Sequence, residues 1–96
     1  MTRVAVSRQA EIDLDDITDY ISRENPERGV SFAYELQARF NDIAERPLSF
    51  TPRAEWGDGK RSATHGRYVI IFHTFENFVE ILRVVHGALD IDGMFE

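Results

Sequence analysis

Three histidines are the residues of this sequence whose side chains most often bind metals or transfer protons. His65, His73 and His86 lie in its carboxyl-terminal part. None of them has a second ligand at the spacing of a helical metal site, and none pairs locally with a Ser or Asp as a catalytic triad. The sequence has no Cys, so it has no thiolate nucleophile and no cysteine zinc site. We therefore expect no metal and no cofactor, with His73 and His86 in or at the end of strands and hydrogen-bonded to the backbone.

Four aspartates form an acidic cluster, and paired carboxylates are a common acid–base device. Asp13, Asp16 and Asp19 are three residues apart, so a helix would place them near one another, with Asp15 between them in sequence. They lie opposite the apolar stripe of their segment, where solvent gives no cause for the raised pKa that acid–base catalysis needs. The pattern predicts a solvated helix face.

Basic side chains concentrate in residues 53–67, although the chain has a formal net charge of −6. A negative surface opposes the phosphate neutralisation behind nonspecific nucleic-acid binding, so a stand-alone DNA or RNA binder is disfavoured. Two interpretations of the basic stretch stay open: it docks a specific anionic surface, or it is an ordinary solvated loop and edge strand. Its basic residues are Arg53, Lys60, Arg61 and Arg67, against Glu55 and Asp58.

Arg83 interrupts an apolar strand. It stands in the series Val79, Ile81 and Val85, where burial of an unpaired guanidinium would be costly. Two interpretations are open here as well. Arg83 pairs with an acid such as Asp90, or it points into an uncovered sheet face as a functional residue.

The amino-terminal half predicts a short strand and two helices that could position these groups. Residues 4–6 are apolar, and Ser7 is a good N-cap for the helix that follows. Pro26 suits the first turn of a second helix, and Pro47 ends it, which gives an antiparallel helical hairpin. The apolar residues at helical spacing are Ala10, Leu14, Ile17, Tyr20 and Ile21, then Phe32, Ala33, Leu36, Phe40, Ile43 and Ala44.

The carboxyl-terminal half predicts strands. Residues 67–74 and 78–86 are rich in β-branched and aromatic side chains and form a hairpin, and residues 60–63 give a weaker strand. Alternation in residues 67–74 makes both faces of that strand largely apolar. The two helices can cover one face, and no segment of comparable size remains for the other. The uncovered face therefore predicts a binding partner.

The expected fold is α+β, in the order β-α-α-β-β-β, with the helical hairpin packed on one face of a small, mainly antiparallel sheet. We expect residues 1–96 to form one domain. The amino terminus lacks the apolar core of a signal peptide, and no apolar run approaches the roughly 20 residues that span a bilayer. The expectation is a cytoplasmic protein with no membrane contact.

Three sequence segments, which together extend over nearly the whole chain, have a characteristic order. The first helix carries Ala10, Asp13-Leu14, Asp16-Ile17 and Tyr20. Lys60-Arg61 leads to residues 66–72 (GRYVIIF), and the sheet closes on residues 81–90 (ILRVVHGALD). Taken together, these segments resemble the ParE branch of the RelE/ParE family of bacterial toxins from type II toxin–antitoxin modules.

The resemblance implies a toxin that a cognate, ParD-like antitoxin holds inactive by wrapping it and filling the open sheet face. ParE-like members act on DNA gyrase, whereas RelE-like members cut messenger RNA in the ribosome. The RelE reaction needs basic groups and an acid–base group, but this chain has one Lys and no Tyr near its carboxyl terminus. We expect a non-enzymatic gyrase inhibitor. The alternatives are a ribosome-dependent endonuclease and an inactive member that serves only as an antitoxin-binding corepressor partner.

The expected site residues follow from this interpretation. Arg61, Arg67 and Arg83 are assigned to target recognition, and His86 and Asp90 to holding the last strand and the tail. The expected antitoxin contacts are on the first helix and the open face, at Ile12, Tyr20, Val69 and Ile71.

Leu89 departs from the family pattern, whose last motif commonly reads His-Gly-Ala-Arg-Asp. Leu89 stands where Arg is expected. Either the activity of this chain is weakened, redirected or lost, or Leu89 packs under the tail beside Ile91 and Phe95.

Overall fold

A computed structural model, which describes residues 3–89 and 91–95, places two helices on one face of a five-stranded mixed sheet. The sheet order is β1-β5-β4-β3-β2, with β1 parallel to β5 and the other neighbours antiparallel. The predicted α+β fold is confirmed, with β2 as an added short strand. The elements are β1 (Arg3–Val6), α1 (Arg8–Glu24), α2 (Pro26–Glu45), β2 (Thr51–Pro52), β3 (Lys60–His65), β4 (Tyr68–Thr74) and β5 (Phe78–His86), with 3₁₀ turns at Pro47–Ser49, Ala54–Trp56 and Asp92–Phe95.

The predicted caps start both helices. Ser7 Oγ accepts the Ala10 N–H at 3.0 Å and donates to the Leu82 carbonyl at 2.9 Å, so it caps α1 and ties it to β5. Asn25 ends α1 and caps α2, because its side-chain oxygen accepts the Arg28 N–H at 3.1 Å. One residue therefore makes the whole turn of the helical hairpin.

The two helices approach closely at Gly29. A Cβ at this position would lie 1.8 Å from Ser22 Oγ and 3.2 Å from the Thr18 carbonyl oxygen. Only a residue without a side chain fits here without movement of α1.

The main core lies between the helices and the sheet. α2 contributes Leu36, Phe40 and Ile43, all almost fully buried, and β4 contributes Ile70 and Phe72. Burial of one such side chain is worth about 1.5–3 kcal/mol. The helical periodicity predicted this face correctly.

The second face of the sheet is covered, so the expectation of an open face is wrong. Ile71 is 0% exposed and Val85 is buried, and both pack with Trp56 from the 3₁₀ turn before β3. Ile91 and Met94 pack against the same cluster. Single side chains on short irregular segments make up this cover. Such segments have no hydrophobic periodicity, so the sequence pattern did not predict the cover.

A β-bulge at Leu82 shifts the register between β4 and β5 by one residue. Val79 and Ile81 lie in the helix-side core, whereas Val85 lies on the second face. The prediction that Arg83 sits within one apolar series is therefore wrong, because the bulge breaks the alternation.

The described part of the chain contains no helix that combines the length and hydropathy of a membrane span.

Candidate functional site

A groove of about 250 Å³ lies between α1 and the carboxyl-terminal half of β5. It brings together three of the predicted site residues, Tyr20, Arg83 and His86, and places Leu89 beside them. Its other lining residues are Asp13, Asp16, Ile17, Tyr68, Val84 and Val85.

Asp13 fixes α1 to β5 at the base of this groove. The ladder between β1 and β5 ends at Val6 and Ile81. Beyond that point, Asp13 Oδ2 accepts the backbone N–H of Val84 at 3.0 Å. A side chain of α1 thus continues the hydrogen bonding of the sheet edge where the first strand stops.

The same carboxylate binds Arg83 through two hydrogen bonds. Arg83 Nε donates to Asp13 Oδ2 at 2.8 Å, and Nη2 donates to Oδ1 at 3.0 Å. Gln9 Nε2 donates to Oδ1 at 3.2 Å. Of the two interpretations of Arg83, pairing with an acid is correct, but the acid is Asp13, while Asp90 lies outside the described residues.

Asp13 is 8% exposed, so its assignment to a solvated face is wrong. The sequence shows it next to other acids, but its burial depends on a strand 70 residues away, which supplies its hydrogen-bond donors. Asp15, Asp16 and Asp19 are exposed as predicted.

The electrostatics of the pair follow from this geometry. Burial alone would raise the pKa of Asp13, but the hydrogen bonds from Arg83, Val84 and Gln9 outweigh it and lower the pKa below its ordinary value. The hydrogen bond to Asp13 in turn raises the pKa of Arg83. Both groups are therefore charged at neutral pH, and neither is poised to exchange a proton.

Exposed apolar side chains flank the groove. Tyr20 on α1 is 70% exposed, and Leu89 after β5 is 56% exposed. Ile12, also on α1, is exposed as well. The interpretation that Leu89 packs under the tail is wrong. His86 Nδ1 accepts the Ala88 N–H at 3.1 Å, which links the end of β5 to the turn after it.

The other two predicted target-recognition arginines lie elsewhere. Arg61 is on β3 and donates to the Phe50 carbonyl at 2.7 Å, so it anchors the segment before β2. Arg67 is exposed in the turn between β3 and β4. The four residue steps from Arg61 to His65 alone span about 14 Å of strand. The three arginines do not form one cluster.

Sequence reasoning missed a second polar cluster, which joins α2 to the end of β3. Arg28 forms an ion pair with Glu35, and His65 Nε2 lies 2.8 Å from Glu35 Oε1. The hydrogen bonds from Arg28 and then His65 lower the pKa of Glu35 to about 2. Spacing of seven on one helix marks Arg28 and Glu35 as neighbours, but only the fold brings His65 to them.

His73 lies in β4, as predicted, but its hydrogen bonding differs from the prediction. Its Nδ1 is buried and has no hydrogen-bond partner within the described residues, so the expected backbone bond is absent at this nitrogen. Its ring packs on Phe75 with centroids 4.2 Å apart. Residues 3–89 and 91–95 contain no group of three His, Asp or Glu residues placed to hold a metal ion.

Comparison with known proteins matches the chain to one family model, one relative and two solved structures. Residues 4–91 match the family model described as the ParE toxin of the type II toxin–antitoxin system parDE. The chain is 36% identical over 86 residues to Toxin ParE1 of Caulobacter vibrioides, an alignment that covers 88% of each chain.

Two solved structures share the fold. A chain of the chromosomal ParDE toxin–antitoxin system from P. aeruginosa superimposes with a TM-score of 0.76 at 20% identity, covering 90% of this chain and 96% of the other. A chain of the RelBE2 toxin–antitoxin complex from Mycobacterium tuberculosis gives 0.60 at 23% identity, covering 88% and 96%. The family match spans both elements of the groove, α1 and β5, and the chain belongs to the ParE toxin family of type II toxin–antitoxin systems.

Proposed function

We propose that the free chain inhibits DNA gyrase in the bacterial cytoplasm and that a ParD-like antitoxin neutralises it. The observation that carries this proposal is the ParE family match over residues 4–91. A type II toxin has an antitoxin as its partner, and both structural neighbours come from toxin–antitoxin systems.

The arrangement of the arginines supports a gyrase inhibitor over a nuclease. Cleavage of RNA needs basic side chains directed together at one phosphate, with an acid–base group beside them. Here Arg83 is engaged by Asp13, and Arg61 by the Phe50 carbonyl, at separate places on the sheet. Recognition of a protein surface requires no such convergence.

The exposed rim of the groove supports a protein partner. Tyr20 and Leu89 present exposed apolar surface in the groove that also contains the charged pair, and aromatic side chains such as Tyr20 are frequent binding anchors. We assign Tyr20 and Ile12 to the antitoxin interface and Arg67, which is exposed, to target recognition. Arg83 serves the target indirectly, because its pair with Asp13 shapes the groove floor.

A supercoiling assay with purified chain tests the proposal. We expect loss of gyrase supercoiling and accumulation of cleaved DNA at saturating toxin, and reversal by a ParD-like antitoxin. Unaltered gyrase together with ribosome-dependent cleavage of messenger RNA would identify a RelE-type activity. Normal growth of cells that express folded chain without antitoxin would identify an inactive, antitoxin-binding member.

Leu89 gives a matched variant for the same assay. It is exposed at the groove, so Leu89→Arg adds the family's side chain without disturbing the core. If the arginine contacts gyrase, we expect Leu89→Arg to inhibit at a concentration about tenfold lower, equivalent to about 1.4 kcal/mol of added binding. Leu48→Arg, at an exposed apolar position outside the groove, is the control and should change nothing.

A further inference from the structure

We propose that the second face of the sheet is a concealed binding surface for a partner segment with the pattern apolar-acidic-X-apolar, and that residues 91–94, Ile-Asp-Gly-Met, occupy it until the partner displaces them. We call these four residues the tail cover. The inference rests on the proposed function in one respect: we expect the partner segment to belong to the antitoxin.

The apolar part of this surface is small and well defined. Ile71 and Val85 form its buried floor, and Trp56 closes one side. Ile91, directly before the 3₁₀ turn, and Met94, within it, lie against this cluster, and the Met94 N–H binds the Ile91 carbonyl at 3.0 Å. A segment of any chain with apolar side chains at this spacing would present the same contact surface.

A carboxylate adds specificity to the contact. Trp56 Nε1 donates a hydrogen bond to Asp92 Oδ1 at 2.7 Å. The indole N–H is a donor without acceptor capacity, so a buried Trp selects a segment that brings an acceptor to this point. The acid directly follows the first apolar residue, which defines the pattern.

The charge of the surroundings favours an acidic occupant. The Arg53 guanidinium lies 4.9 Å from the centre of the Trp56 ring, on the same turn that carries the indole. Arg53 Nε donates to Ser62 Oγ at 2.9 Å, which holds the cation beside the ring. Arg53 Nη1 also lies 3.5 Å from Glu55 Oε2, so its own charge is partly compensated. Residues 53–67 nevertheless carry four basic side chains against two acids, so this region, rather than the acidic face of α1, is where an anionic segment is attracted.

The tail cover suits displacement because it is short. It contributes one turn, with the Met94 N–H bonded to the Ile91 carbonyl. A partner segment continuous with a larger interface would present the same three side chains and gain further contacts elsewhere. Such a segment competes as an intramolecular ligand once the rest of the partner has bound.

The first test uses the unmodified chain and its single Trp. We expect the Trp56 indole N–H to exchange with solvent at least 100-fold faster than the Ile70 backbone amide under native conditions, because the tail cover opens without unfolding of the helix-side core. Equal exchange free energies for the two groups, with the same denaturant dependence, would overturn the proposal.

The second test asks what the surface binds. In the full chain, Ile91→Ser with Met94→Ser detaches the tail cover, and Trp56 emission should shift to longer wavelength. A synthetic peptide of residues 88–96 should reverse that shift saturably, and the same peptide with Asp92→Ala should bind at least tenfold more weakly. Asp92→Asn keeps the acceptor oxygen but loses the charge, so this peptide should bind more weakly than the original and more tightly than the Asp92→Ala peptide. Binding equal to that of the original would show that the surface does not select a charged residue.

The remaining outcomes are also decisive. A folded double variant with exposed Trp56 that does not bind the peptide overturns the proposal. A double variant that dimerises through this face makes a second copy the occupant and overturns it as well. If the double variant does not fold, the exchange measurement on the unmodified chain decides. None of these measurements uses gyrase or antitoxin, so they succeed or fail independently of the proposed function.

Discussion

The two faces of the sheet are covered in different ways. On the helix side, two long helices bury a continuous core, and Asp13 ties α1 to β5 through an ion pair and a backbone hydrogen bond. On the second face, Trp56 and two side chains of the tail cover bury a smaller cluster, and Asp92 ties them to the indole. On each face, one carboxylate joins the covering segment to a distant residue. Asp13 joins a long helix to β5, whereas Asp92 joins only a short turn to Trp56.

The two kinds of cover assign stability to one face of the sheet and binding to the other. A face packed by two helices of 17 and 20 residues cannot open without loss of the core. A face covered by one short turn can open while the rest stays folded. We expect the helix side to determine global stability and the second face to determine which apolar surface a partner meets.

Two neighbouring residues on β4 test directly whether the two faces differ in rigidity. Ile70 and Ile71 are both 0% exposed and point to opposite faces. We expect Ile70→Ala to lower the free energy of unfolding by about 4 kcal/mol and Ile71→Ala by about 2 kcal/mol, because the tail cover can move into the cavity left at Ile71 whereas the helices cannot close the one left at Ile70. Urea unfolding followed by circular dichroism measures both values. Equal losses would mean that the second face is as rigid as the first.

Removal of the Asp13 carboxylate is expected to have a smaller effect on the free energy of unfolding. Asp13→Ala leaves Arg83 without its carboxylate and the Val84 N–H without its acceptor. We expect a loss of about 2 kcal/mol, below the range for fully buried pairs, because Arg83 is partly exposed and water can reach it. Asp16→Ala, an exposed acid on the same groove, is the control and should change stability by less than about 0.5 kcal/mol.

A double-mutant cycle then isolates the ion pair. Arg83→Met removes the cation but keeps the length of the side chain. If the pair acts as a unit, the loss in Asp13→Ala combined with Arg83→Met should be smaller than the sum of the two single losses. Strict additivity would show that Asp13 acts through the Val84 N–H alone.

The contrast between the faces also explains what the sequence could predict. The helix-side core was predictable from Leu36, Phe40 and their periodic neighbours, and the caps from Ser7 and Asn25, because these signals are local. The roles of Asp13 and Trp56 were not predictable. Each depends on one contact with a residue far away in the chain, 70 positions for Asp13 with Arg83 and 36 for Trp56 with Asp92.

The bulge at Leu82 is the third such case. Alternation in a strand predicts faces only while the register holds, and one inserted residue exchanges the faces of everything after it. Because of this one residue, Val85 lies on the second face and not on the helix side with Val79 and Ile81. The partner of Arg83 has a separate cause, because β1 ends opposite Ile81 and leaves the edge of β5 free for Asp13 to bind Arg83 and the Val84 N–H.

The smallest expected effect is a loss of stability in acid that belongs to the helix side. The folded state holds the pKa of Asp13 below its ordinary value of 3.8, and that of Glu35 at about 2. The unfolded chain therefore takes up protons first as the pH falls. The stabilisation that these two carboxylates contribute is complete above about pH 5 and is lost progressively between about pH 5 and pH 2.

Urea midpoints at pH 6 and pH 3 measure this loss, and two variants assign it. Asp13→Asn keeps the shape of the side chain but removes its titration, so the midpoint should fall less between the two pH values than in the unmodified chain. Glu35→Gln should also reduce the fall of the midpoint, because it removes the carboxylate whose pKa is lowered by the hydrogen bonds from Arg28 and His65. If neither variant reduces the acid sensitivity, the two carboxylates do not couple proton binding to the packing of the helices, and the helix side is held by its apolar core alone.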